Sequence, residues 1–588
     1  METGVDRRSI KNIVEKKMKA EPVFAPEGGA VKKIITGILI GASTAGILLL
    51  ALEYGRVFSG ESLKYLHSWE YFISIVLIAQ FFLKLVIYPA KKDFFKTNYK
   101  DITLILACLV LFLILISHRR YFIVPQIFIT GFVILRIPQI SRWILHFRIP
   151  PPASVAVTFL IIIALGTTLL LLPVASVSGK STEFLNALFT ATSATCVTGL
   201  IVVDTGSYFS LFGQIVILVL IQIGGLGLMT FASFFALLSR DFGVRDRVIL
   251  RDVVRYDNLS KIGYLLLSVL LLTFIFEAIG AIILYLQFLP EIKNKALSIY
   301  SAIFHSVSAF CNAGFSIYSN SFMGYRGNIG INLTMSFLII FGGLGFVVIV
   351  DLLRILLSWI KKQKREHLSL HSKMVLLTTG ILIGLGATLL YMGEMDAILK
   401  GLSVKEKILI SYFQSITART AGFNTVKISN LTVFSSFLLI ILMFIGASPG
   451  STGGGIKTST FATLLFTIKS MVQGKGQVEA FKRTIPRITV YQALCVVILA
   501  LGWLSLSTLF LSFTEKADFI DILFEVFSAF GTVGLSRGLT PHLTKWGKII
   551  IIITMIIGRI GPLTLALAIA GRKAVKLYEY PEEKIIIG

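Results

Sequence analysis

Apolar runs separated by short polar and basic stretches recur along nearly the whole chain. Four cover about 34–53, 70–90, 102–117 and 121–146 and approach the ~20 residues that a helix needs to cross a bilayer. Pro150, Pro151 and Pro152 then break the chain. Beyond them one pattern runs four times. A first membrane helix (153–173, 262–288, 374–393, 488–512) precedes a shorter apolar segment (182–194, 298–310, 405–418, 519–530). A glycine-containing loop follows, then a second membrane helix (209–238, 331–358, 432–470, 546–571). The shorter segments are too short to span and read as re-entrant half-helices. Non-helical backbone at membrane depth is tolerated only where it is buried in protein or lines a water-filled cavity, which puts the four loops around a pore.

The loops are alike. They contain Val197-Thr198-Gly199-Leu200, Asn312-Ala313-Gly314-Phe315, Thr420-Ala421-Gly422-Phe423 and Thr532-Val533-Gly534-Leu535, with the glycines roughly 110 positions apart. A desolvated monovalent cation needs several oxygen ligands, and backbone carbonyls supply them without side-chain charge, so the ion can bind and still leave. Glycine permits the backbone angles that let consecutive carbonyls face one axis. The loops carry no Asp or Glu ring, which argues against a divalent-selective filter. Four non-identical walls suggest moderate selectivity for K⁺, with Na⁺ as the close alternative.

Each second helix also carries a glycine break: Gly224-Gly225-Leu226-Gly227, Gly342-Gly343-Leu344-Gly345, Gly446-Ala447-Ser448-Pro449-Gly450 and Gly558-Arg559-Ile560-Gly561-Pro562. For the first, second and fourth, close helix packing and a functional bend are both open.

Composition narrows the function class. The chain is 55% hydrophobic and carries a net charge of +25. The basic residues cluster between apolar runs, as in cytoplasmic loops, and not on a soluble nucleic-acid-binding domain. Cys108, Cys196, Cys311 and Cys495 have no metal-ligand spacing and form no disulfide framework. The polar, basic beginning of the chain does not read as a cleaved signal peptide. The seven histidines are scattered. Only His367 and His371 have helical spacing, and they lie in a basic loop without nearby carboxylates, so an enzyme or receptor is a remote alternative.

The loop residues, with Thr417-Ala418-Arg419 before the third loop, Gly531 and Ser536 around the fourth, and the run Gly446 to Gly455, resemble the Trk/Ktr/HKT superfamily of cation transporters, the KtrB type most closely. The ending Tyr580-Pro581-Glu582-Glu583-Lys584 is similar as well. The resemblance covers about 153–588. It implies an all-α integral membrane protein in which four tandem repeats form a pseudo-fourfold pore; the four apolar segments before it are read as an added four-helix amino-terminal module. It implies K⁺ uptake, with no enzymatic activity and no cofactor beyond the transported K⁺, held at filter carbonyls only; Na⁺ is a candidate activator. It also implies a homodimer, a cytosolic nucleotide-binding ring protein as regulator, and membrane lipid as surroundings, in a bacterial inner membrane with both termini cytoplasmic. A Na⁺-selective or Na⁺/K⁺-cotransporting member is the alternative.

The expected domains are a tail at 1–33, the four-helix module at 34–149, the pore at 150–571 (repeats about 153–238, 262–358, 374–470 and 488–571) and a tail at 572–588. The run 446–458 matches the family's intramembrane gate loop, with Gly446, Ser448, Gly450, Ser451, Thr452, Gly453, Gly454, Gly455 and Lys457 as its residues. It is no phosphate loop, because Ile456 separates glycine from lysine and a membrane helix precedes it. Arg559, costly within an apolar helix, is read as an electrostatic plug below the filter. Arg419 would repel cations, so it is assigned a scaffold role, paired with Glu525. In the amino-terminal module, which is similar to a voltage-sensor domain, Arg136, Arg142 and Arg148 stand at six-residue steps and Pro138 interrupts them, so a sensor-like scaffold or accessory interface is expected, with voltage sensing as the alternative.

Overall fold

The computed structural model describes residues 61–87, 98–116, 124–132, 151–227, 262–362 and 367–570, with scattered positions between 41 and 95. It divides into two compact units, Met1–Ile140 and Ser141–Gly588. Both are mostly helical. The expected tails, Arg136, Pro138, Arg142, Arg148 and the Tyr580–Lys584 ending lie outside the described residues.

In the first unit, α1 (Glu61–Ile87) and α2 (Tyr99–Ile116) join a helical stretch at 124–132. Their core holds Ile73, Leu77, Cys108, Phe128, Ile129 and Phe132.

The second unit opens with α3 (Pro151–Leu171), α4 (Phe184–Thr195) and α5 (Leu211–Leu226). Proline is compatible with the first turn, where no intrahelical N–H is needed, and Pro151 and Pro152 begin this helix. There follow α6 (Ile262–Phe288), α7 (Lys295–Phe310), α8 (Ile329–Leu344) and α9 (Phe346–Ile360). Next come α10 (Leu370–Glu394), α11 (Val404–Thr417), α12 (Val433–Phe444) and α13 (Thr458–Val472). A hairpin of β1 (Val478–Ala480) and β2 (Arg483–Ile485) leads to α14 (Arg487–Thr514), α15 (Phe519–Gly531), α16 (Lys545–Ile560) and α17 (Pro562–Ala570).

Among the described residues, four helices are long and apolar enough to cross a bilayer, or five if α8 and α9 count as one bent span. The helices α4, α7, α11 and α15 have 12, 16, 14 and 13 residues. At ~1.5 Å per residue none reaches across a ~30 Å hydrocarbon core. Polarity is arranged opposite to a soluble protein. Leu271, Phe274, Ile275 and Ile282 on α6 and Ile498, Leu509 and Phe513 on α14 are exposed, while the short helices bury Thr192, Ser193, Ser308, Ser415, Thr417 and Ser528. Apolar outer faces suit lipid, and the interior must satisfy its own polar groups.

The short helices are clasped in turn. Each packs on the long helix before it: α4 on α3, α7 on α6, α11 on α10 and α15 on α14. Each also packs on the second helix of the preceding stretch: α7 on α5, α11 on α8, α15 on α12, and α4 on α16. The last pair closes the circuit.

The second helices end early. Between α8 and α9 the chain turns by 105° at Gly345, whose φ is +88°. Gly227 and Gly561 end α5 and α16 with φ of +73° and +92°. These are the last glycines of each break, and a positive φ is the reason. The first glycine of each break serves packing instead. A Cβ on Gly224, Gly342 or Gly558 would lie about 2 Å from the carbonyl oxygen of Thr195, Phe310 or Phe530, at the end of the preceding short helix. Close packing and bending therefore fall on different glycines of each break.

Candidate functional site

Each short helix runs directly into its loop, and the four loops share one backbone course. Val197, Asn312, Thr420 and Thr532 have φ of +57°, +59°, +77° and +48°, and the glycine two positions later is also positive, at +90° for Gly199, +70° for Gly314, +81° for Gly422 and +91° for Gly534. Non-glycine residues adopt such angles reluctantly, so the surroundings must hold them. A hydroxyl on each short helix helps to do so. Ser193 and Ser528 accept from the amides of Gly199 and Gly534, both at 3.1 Å. Ser308 donates to the carbonyl of Phe315 at 2.8 Å, and Thr417 to that of Phe423 at 2.7 Å. Leu200, Phe315, Phe423 and Leu535, which follow the glycines, are buried and anchor the loop exits.

The loops meet one another in cyclic order. A Cβ built on Gly199 would lie 2.4 Å from the carbonyl oxygen of Ala313, and one on Gly314 would lie 2.8 Å from that of Ala421. On Gly422 it would meet Val533 O at 2.3 Å, and on Gly534 Thr198 O at 2.3 Å. In every case the carbonyl belongs to the residue just before the next loop's glycine. All sixteen residues expected at the filter therefore lie in four loops that form one closed ring.

The segment after α12 lies against this ring. Ile445 and Ile456 form a parallel bridge that closes it into a loop. The amide of Gly454 donates to Thr532 Oγ1 at 2.9 Å, and a Cβ on Gly453 would lie 2.3 Å from Thr420 Oγ1. Thr452 Oγ1 donates to Phe310 O at 3.2 Å and Gly342 O at 3.1 Å. The amides of Ser448 and Thr452 donate to Gly343 O and Gly342 O at 3.0 and 3.2 Å. At the turn, Ser451 Oγ donates to Ser448 O at 2.6 Å, and Gly450 O accepts from the amide of Phe346 at 3.0 Å. Gly446 fits against Gly454 O, and Gly455 against Gly446 and Gly531. Lys457 Nζ caps Gly453 O at 2.7 Å.

Arg559 lies in the last turn of α16 and reaches across two neighbours. Its guanidinium donates to the carbonyl of Thr452 in the loop and to that of Gly224 at the end of α5. One side chain thus ties three second-helix regions together beside the ring.

Arg419 and Glu525 do not pair, which corrects the expectation. Arg419 is 8% exposed and donates to Thr379 Oγ1 of α10 at 3.4 Å, while its Nε has no partner. Glu525 accepts from Ser536 Oγ at 2.9 Å and from the hydroxyl of Thr540. The carboxylate is satisfied by hydroxyls that follow its own loop, so it needs no cation from the third one. The arginine that does link these two stretches is Arg537. It donates to Asp521 at 2.5 Å, Ser436 Oγ at 2.5 Å and Leu431 O at 3.3 Å. Its place three residues past Gly534 was the available signal. Glu394 and Glu515 were also missed. They end or follow the long helices α10 and α14 and accept from the amide and hydroxyl of Thr432 and Thr544, the N-caps of α12 and α16.

The chain is similar to known proteins over most of this second unit. A family model described as TrkH, cation transport protein, matches residues 124–575. The Ktr system potassium uptake protein B of Bacillus subtilis is 38% identical over 453 residues, 76% of this chain and 99% of that protein. The potassium/sodium uptake protein NtpJ of Enterococcus hirae is 40% identical over 75% of this chain and 98% of its own length. The Ktr system potassium uptake protein B of Vibrio alginolyticus is 40% identical over 74% and 95%. The crystal structure of the potassium transporter TrkH from Vibrio parahaemolyticus aligns with a TM-score of 0.58 over 86% of this chain and 97% of that chain, at 16% identity, a likeness of fold. The chain belongs to the TrkH family of cation transport proteins and is KtrB-like within the Trk/Ktr superfamily.

Proposed function

We propose that the chain is a K⁺ uptake protein in which the four loops form a pseudo-fourfold, carbonyl-lined filter. The observation that carries this reading is the cyclic contact of each glycine with the carbonyl before the next one. A dry cation is stabilised by such oxygens without a fixed negative charge. The short helices α4, α7, α11 and α15 act as re-entrant half-helices whose carbonyl ends, the negative ends of their dipoles, lie at the ring. In the first loop, the buried hydroxyls of Thr195 and Thr198 have no protein partner and add oxygens for an ion or its water.

The run 446–458 acts as the gate. Its contacts with Thr420, Thr532 and Phe310 set it against the filter, and Arg559 latches it through Thr452. A guanidinium there repels an ion leaving the filter. Movement of the loop must release Arg559 and Thr452 together, so the latch and the plug open in one step. Arg419 and Glu525 serve as separate scaffold residues behind the third and fourth loops.

The module at 34–149 is an addition to the pore at 150–571. The protein is a multi-pass component of a bacterial plasma membrane with both termini cytoplasmic. It works as a homodimer with a cytosolic nucleotide-binding ring protein. Sodium transport is the second reading, favoured by the Enterococcus hirae relative named for potassium and sodium uptake. Growth rescue of K⁺-uptake-deficient cells at low external K⁺, repeated under Na⁺ competition, tests both. Rescue that persists under Na⁺ supports K⁺ uptake; no rescue in cells that place the protein in the membrane contradicts it.

A further inference from the structure

The first unit holds a polar cluster for which the transport reading has no use. Glu53 lies at the end of the first apolar segment, His67 and Glu70 lie on α1, and Gln126 lies in the helical stretch at 124–132. His67 Nε2 and Glu53 Oε1 are 2.7 Å apart. Gln126 Nε2 donates to both oxygens of Glu53 at 2.9 Å and to Glu70 Oε2 at 3.3 Å. Glu70 is fully buried, and its Oε1 has no hydrogen-bond partner. One ligand atom each from Glu53, His67 and Glu70 lies within 4.8 Å of the others.

Two carboxylates this close, in a helical unit with apolar outer faces, call for a positive partner. The hydrogen bonds of the cluster leave Glu70 Oε1 without a partner. A divalent cation cancels both charges and occupies that oxygen. Bonds of about 2 Å to zinc put ligand atoms ~3.3 Å apart, within a side-chain adjustment of the present spacing. The imidazole nitrogen selects the metal class, because Mg²⁺ and Ca²⁺ prefer oxygen ligands alone. Gln126 can offer its amide oxygen as a fourth ligand by turning its amide over. The side chains of His67 and Glu53 are 22% and 10% exposed, which leaves an entry path.

We propose that Glu53, His67 and Glu70, with Gln126, form a binding site for a divalent transition cation such as Zn²⁺. The site clasps the first segment, α1 and the fourth segment of the module. Three of the four ligands precede residue 124, where the family match begins, so the site belongs to the part added to the shared transporter. No motif announces it, because the ligands come from three helices.

The test uses the purified full-length chain, stripped with a chelator and titrated calorimetrically with ZnCl₂. Wild type is expected to bind one ion at this site and to unfold at a higher temperature with zinc present. Glu70→Gln and His67→Ala are expected to weaken binding by at least ~10-fold and to lose the thermal shift. Glu70→Gln without metal should unfold no lower than wild type, since one of two crowded carboxylates is neutralised; this separates loss of ligand from loss of fold. His371→Ala, in the other unit, should bind as wild type. Zinc binding that survives Glu70→Gln, or MgCl₂ binding as tightly as ZnCl₂, would overturn the proposal. So would the absence of any zinc binding by the stripped protein, which would leave a protonated hydrogen-bonded cluster.

Discussion

The ring of loops and the second helices that support it treat their four copies differently. In the ring, all four loops repeat the same pair of positive φ angles and the same glycine-to-carbonyl contact. Among the second helices, α5, α8 and α16 each end at a single positive-φ glycine, while α12 gives way to a loop that runs to Thr458. On the proposed reading, a cation draws on backbone carbonyls from every side, so the four loops keep one backbone course although their side chains differ. Blocking an axis needs only one copy to cross it. Divergence in the third copy costs the ring nothing while Thr420, Thr532 and Phe310 keep their contacts. The single arginine follows the same logic: Arg559 stands in the fourth copy, where Gly225 and Gly343 occupy the matching place in the first two. Gly343 O instead accepts from the amide of Ser448 in the 446–458 loop.

The largest expected effect breaks the ring. Gly422→Ser puts a Cβ within 2.3 Å of Val533 O and close to both neighbouring glycines. Uptake-dependent growth at low K⁺ should fall by ~10-fold or more, since losing only ~1.4 kcal/mol of ion stabilisation is a tenfold effect. Wild-type growth would contradict a filter that uses all four loops. The asymmetric layer should respond in the opposite direction. Arg559→Ala releases the carbonyls of Thr452 and Gly224, and flux into proteoliposomes without regulator should rise several-fold; unchanged or lower flux in a well-folded variant would remove the latch.

Smaller effects sharpen the contrast between packing and bending. Gly342→Ala drives a Cβ to 1.9 Å from Phe310 O, whereas Gly343→Ala meets nothing nearer than 3.2 Å. The first should cost ~1–3 kcal/mol of stability, read as a lower unfolding temperature, and the second much less. Equal effects would mean that the first glycine of the break has no special packing role. Arg537→Met removes the bridge between the third and fourth copies. It should lower thermal stability by ~1.5–3 kcal/mol, the range for hydrogen bonds to a charged group, with ion selectivity unchanged. A changed selectivity would show that Arg537 tunes the ring as well as bracing it.

Much of the fold was legible because hydrophobic runs report on lipid directly. The long helix α6 coincides with the expected 262–288, and each short helix starts within a few residues of its expected place. The loops were legible because glycine recurs at a fixed place after a polar, helical stretch. What stayed hidden depends on partners more than a hundred residues away. The sequence could not show that Gly199 meets Ala313, or that α16 returns to α4. It suggested a partner for Arg419 by charge alone, yet the hydroxyls of Ser536 and Thr540 already satisfy Glu525. Arg537 carried the same charge and a better position. That position was the one local signal; which neighbouring helix each arginine faces is not written near either one.

The central claim is that four loops enclose one ion pathway. A structure determined in Rb⁺ or Tl⁺, with the ion located by its anomalous scattering, tests it most directly. The account predicts ion density on the axis enclosed by the carbonyls of Thr198, Ala313, Ala421 and Val533. An ordered ring without ion density, and with the heavy ion bound elsewhere in the second unit, would contradict it.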